Sequence, residues 1–93
     1  MALYLISYDI DEKDKSEYEA LWAHLRNIGA VKVLYSEWVV KGSSASAIYD
    51  GIAPFVKLPD RLLVVGLVYD AMWDKLLITN DAFSQLMLAA RAA

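Results

Sequence analysis

Two segments of this chain, Leu3–Ile10 and Arg61–Tyr69, read as strands that are apolar on both parities. A strand sends alternate side chains to opposite faces of its sheet, so a half-exposed sheet shows one polar parity. Here Tyr4, Ile6, Tyr8 and Ile10 alternate with Leu3 and Leu5. Leu62, Val64 and Val68 alternate with Leu63, Val65, Leu67 and Tyr69. Both faces of a sheet built on these strands must therefore be covered, because a soluble monomer rarely leaves an apolar face of that size open.

The remaining elements say what is available to cover it. Ser16-Glu17-Tyr18-Glu19 has the pattern of a capping box, and Tyr18, Leu21, Trp22, Leu25 and Ile28 follow with helical spacing. Gly29 sits where a helix-ending glycine belongs. Val31–Tyr35 and Glu37–Lys41 read as two further strands. Gly42-Ser43-Ser44 is a turn and cap ahead of a second helix carrying Ile48, Ile52 and Phe55. Gly51 weakens that helix, and Pro54 bends it or ends it early. Pro59-Asp60 is a turn before the last core strand.

The order strand, helix, strand, strand, helix, strand is the split-βαβ arrangement of ferredoxin-like α+β domains. It predicts a four-stranded antiparallel sheet with both helices on one face. The 93 residues make one domain, with a core over residues 1–69 and an extension over 70–93. In the extension, Leu76-Leu77-Ile78 is a candidate short strand. Asp81–Arg91 is a candidate helix, with Phe83, Leu86, Met87 and Ala90 in step and Thr79 or Asn80 as cap. The extension covers part of the second sheet face, or a second subunit covers it. A two-fold homodimer packed sheet to sheet is the simpler expectation.

Composition narrows the function classes. There is no cysteine, hence no disulfide, thiolate metal site or cysteine nucleophile. The apolar run Leu62–Tyr69 is too short to span a bilayer, and the first residues lack the pattern of a signal peptide. A cytoplasmic protein that is not bound to membrane is expected. Net charge is −3, and the nine basic residues are scattered. Bulk electrostatic capture of DNA or RNA requires clustered Lys and Arg. Any nucleic-acid binding is expected to be weak and steeply dependent on salt. Lys32, Lys41, Lys57 and Arg61 are the cations a sheet would have to gather on one edge.

Ser7-Tyr8-Asp9-Ile10 at the end of the first strand, the helix ending at Gly29, Val31 through Tyr35-Ser36-Glu37-Trp38, and Asp60-Arg61-Leu62-Leu63-Val64-Val65 carry a resemblance. Over residues 1 to 69 the chain resembles the Cas-two family, the small ferredoxin-like subunit of the CRISPR spacer-acquisition complex. It equally resembles that family's stand-alone relatives, including the virulence-associated D nucleases. The resemblance implies a homodimer through the sheet face away from the helices. It implies Asp9 near the two-fold axis as metal ligand and catalytic residue, with Tyr8 and Ser36 as its neighbours and Mg²⁺ as cofactor. Some members are nucleases and others only hold DNA. This chain departs from the family at Asp11–Glu17, which is net acidic where nucleic-acid-binding members tend to be basic, and at Trp38, where Phe is common.

Read from the residues alone, Asp9 has two roles open to it. Two copies across a dimer axis would repel unless a cation or proton lay between them, and Mg²⁺ suits such a place. Alternatively Asp9 is a solvated strand end, or caps the following loop. The cluster Asp9, Asp11, Glu12 and Asp14 fails as an EF-hand, since Asp14 stands at the glycine position and Ala20 at the final glutamate position. His24, the one histidine, lies beside the apolar stripe of the first helix and reads as a boundary residue. Ser43, Ser44 and Ser46 read as turn and cap residues. Trp22 reads as core, Trp38 as sheet burial or dimer contact, and Trp73 as a subunit anchor at an interface or a surface for stacking a base. The reading that follows is a homodimeric scaffold or regulatory module without catalysis. Its alternative is a Mg²⁺-dependent phosphodiesterase at paired Asp9.

Overall fold

The computed structural model describes residues 2–9, 18–56 and 60–92. Four strands, β1 (Ala2–Asp9), β2 (Val31–Leu34), β3 (Glu37–Gly42) and β4 (Arg61–Gly66), form one sheet in the order β2-β3-β1-β4. Every pairing is antiparallel. Three α-helices accompany it: α1 (Glu19–Asn27), α2 (Ala45–Ile52) and α3 (Asn80–Ala92). The arrangement is consistent with a ferredoxin-like α+β fold.

Local chemistry explains the boundaries. Gly29 has φ +82°, a left-handed conformation that costs a side-chain-bearing residue about 1 kcal/mol or more, and it ends α1 where expected. The side chain of Ser44 accepts from the Ala47 N–H and caps α2. Pro54 falls in a 3₁₀ turn over Ala53–Phe55, so α2 stops at Ile52. A Cβ at Gly42 would lie 2.7 Å from Ile48 Cδ1, so a larger residue there would make the Ile48 side chain move. At α3 the cap is Thr79, whose Oγ1 accepts from the Ala82 N–H at 3.1 Å. The proposed capping box at Ser16 and Glu17 lies outside the described residues.

The sheet has a core on each face. On one, Ile6, Tyr8, Trp38 and Val40 pack against Tyr18, Leu21 and Leu25 around α1 and Ile52 of α2. On the other, Leu3, Val33 and Val39 pack against Phe83, Met87 and Ala90 of α3. Strand alternation produces this split directly, because Leu3 and Leu5 share one parity and Tyr4, Ile6 and Tyr8 the other.

Two expectations need correction. The last core strand ends at Gly66, not Tyr69: Leu67 N–H still donates to Leu3 O at 2.9 Å, and then the chain leaves the sheet. Leu76-Leu77-Ile78 is not a strand; a single bond from Leu77 N–H to Val33 O ties it beside β2. α3 supplies half of the second cluster, so the extension covers part of the second sheet face. The physical reason is the doubly apolar sheet itself. Its second face needed a cover, and the chain's own C-terminal helix takes much of it.

Candidate functional site

Asp9 ends β1 and pairs in register with Arg61, the first residue of β4. Opposed residues on neighbouring antiparallel strands put their side chains on the same face. Accordingly Arg61 Nη1 donates to Asp9 Oδ2 at 2.9 Å. Both side chains are exposed, Asp9 at 72% and Arg61 at 82%. An ion pair in that much water contributes little to stability. Its importance is chemical, because one carboxylate oxygen that would face a cation already faces a guanidinium.

Tyr8 is the next residue along the strand and points to the other face. There it is buried under α1, and its hydroxyl accepts hydrogen bonds from Trp22 Nε1 and Trp38 Nε1, each at 3.1 Å. Ser36 is joined to Tyr8 by the backbone, its carbonyl accepting from the Tyr8 N–H at 3.1 Å. The structure therefore links Tyr8 and Ser36 to each other, and links Asp9 to Arg61. The aromatic hub of Tyr8, Trp22 and Trp38 holds β1, β3 and α1 together, which accounts for a buried Trp38 without a dimer contact.

Among the described residues no group of three or more His, Cys, Asp or Glu is placed to hold a metal. Asp9 offers one carboxylate, held by Arg61. The acidic stretch Asp11–Glu17 lies outside the described residues.

The other candidates have structural partners. His24 stacks on Phe55 with ring centroids 5.0 Å apart, as a boundary residue does. Trp73 packs edge-on against Phe83 at 4.7 Å, within the chain. The cations are not gathered on one edge. Lys32 is on β2 and Arg61 on β4, the opposite outer strands of the sheet. Lys32 lies 5.8 Å from the centre of the Tyr35 ring. Lys57 lies outside the described residues. No helix among the described residues is long and apolar enough to cross a membrane.

Sequence reasoning missed how the second face is divided. α3 covers the Leu3–Val39–Val33 half. The other half, around Ser7, Val65 and Leu63, continues to Asp9 and Arg61, and Leu63 is 55% exposed. The signal was in the sequence as the Phe83, Met87, Ala90 stripe. No family model matches the chain.

Proposed function

We propose that this chain is a Cas-two-like homodimeric module that acts as a scaffold or regulator without catalysis. The observation that carries this reading is the pairing of Asp9 with Arg61 at the end of β1, where the described residues form no cluster of three metal-ligating side chains. Hydrolysis of a phosphodiester needs a nucleophile, a means of activating it and a means of stabilising charge, in mutual reach. One carboxylate paired to one guanidinium per chain brings no bound nucleophile of its own.

The strand order β2-β3-β1-β4 supports the ferredoxin-like part of the proposal. The open half of the second face supports the dimer. Leu63 stands exposed there beside half-buried Val65. A second sheet cannot seat on the half that α3 occupies, because a helix and a sheet each need a layer about 10 Å thick. The contact is therefore confined to the end of the face that carries Leu63 and Asp9.

The same placement supports the alternative. A two-fold axis through that end brings two exposed Asp9 carboxylates near each other, and a cation between them would have to displace Arg61. The test is cleavage of DNA and RNA with and without Mg²⁺, wild type beside Asp9→Asn. The proposal expects no Mg²⁺-dependent cleavage that depends on Asp9. Cleavage by the wild type that Asp9→Asn abolishes establishes the phosphodiesterase instead.

A further inference from the structure

A groove of about 350 Å³ lies on the α3 side of the sheet. Its walls include Leu5 and Val39 of the sheet, Leu67 and Trp73 of the segment that leads to α3, and Phe83 and Met87 of α3 itself. Its size and carbon-rich lining are those of a small-molecule site. The charges that line it have one sign, Glu37 and Asp70, and no Lys or Arg lines it. Glu37 is half-buried and its side chain makes no hydrogen bond or ion pair among the described residues. A cation seated beside that carboxylate gains a charge-assisted hydrogen bond at the edge of the apolar walls.

We infer that this groove binds small hydrophobic amines, with the ammonium on Glu37 and the apolar body against Leu5 and Trp73. The charge of the lining selects the head group, since an anion of the same shape meets two carboxylates and no compensating cation. The aromatic Trp73 adds a face that suits both the apolar body and the adjacent positive charge. This inference does not rest on the dimer or on the role of Asp9.

Three probes with one skeleton and different heads separate charge from apolar fit: phenylbutylamine, phenylbutanol and phenylbutyrate. Each is titrated into the full chain while backbone amide and tryptophan indole NMR signals are followed. The amine should bind saturably, move the signals of Glu37 and the Trp73 indole, and bind on the order of tenfold more tightly than the butyrate. Glu37→Gln should lower the amine's affinity severalfold, toward that of the alcohol, and leave the alcohol's unchanged. Glu37→Asp should keep the preference for the amine. Equal affinity for the three heads on the wild type overturns the inference and requires no variant to fold. So does an amine affinity unaffected by Glu37→Gln, or a set of shifts that maps away from the groove. Absence of saturable binding overturns it as well, including the case in which a second copy already fills the groove.

Discussion

Replacing Tyr8 with phenylalanine removes one oxygen atom and leaves two indole N–H groups without their acceptor. Trp38 is 4% exposed, so its N–H loses a buried partner and water cannot replace it. A buried donor left unsatisfied costs about 1–3 kcal/mol. Trp22 is only half-buried, and its N–H can turn to water, so its share is smaller, about 0.5 kcal/mol. Tyr8→Phe should therefore destabilise the fold by about 2–3 kcal/mol. Against a total of about 5–14 kcal/mol for a chain of this length, that is a large fraction. It corresponds to a fall in melting temperature of roughly 10–20 °C. Urea unfolding followed by far-UV circular dichroism measures it without relying on tryptophan emission, which the variant itself would alter. The double variant Tyr8→Phe with Trp38→Phe should cost less than the two single changes added, by on the order of 1 kcal/mol, because each removes the other's unmet need. A loss below about 0.5 kcal/mol in Tyr8→Phe, with additive costs in the double variant, would refute the hub.

Met87→Ala tests whether α3 is packed on the sheet in the way described. Met87 is 2% exposed, so truncation should cost about 2–4 kcal/mol in the same urea experiment, whereas a loosely attached tail would register almost nothing. Gly29→Ala should cost about 1 kcal/mol, because a Cβ there meets no atom within 4 Å and only the φ of +82° opposes it. A cost near zero by thermal unfolding would mean that α1 ends in another conformation.

The strands and the first two helices were legible because their determinants are local. Ser44 caps α2, Pro54 stops it, Gly29 closes α1, and β-branched runs mark the sheet. The cover of the second face was not legible to the same degree. Phe83, Met87 and Ala90 announce a helix with one apolar side, but nothing in that spacing says which surface it meets. The route is set by residues 67–79, which hold no regular element and include Lys75 at φ +56°. The run Leu67-Val68-Tyr69 looked like more strand because it is apolar, yet Val68 is 71% exposed. Hydrophobicity without alternation cannot tell a strand from a loop lying across a core. The site followed the same division. Tyr8 and Asp9 are adjacent in sequence, and strand alternation alone separates them. The partners that matter, Arg61 for Asp9 and the two tryptophans for Tyr8, lie 52, 14 and 30 residues away. They come together through pairing registers and helix packing, which no local pattern encodes.

The central claim is that this chain pairs with itself through the end of the sheet face that α3 leaves open. Static light scattering of the purified full chain at micromolar concentration tests it most directly, with Leu63→Asp measured alongside. The account predicts twice the mass of one chain for the wild type. It predicts the mass of a single chain for Leu63→Asp, with the circular dichroism of the wild type retained, because Leu63 is already 55% exposed and an aspartate there disturbs the contact more than the fold. A wild-type chain that scatters as a monomer would contradict the claim. So would a Leu63→Asp variant that remains fully dimeric.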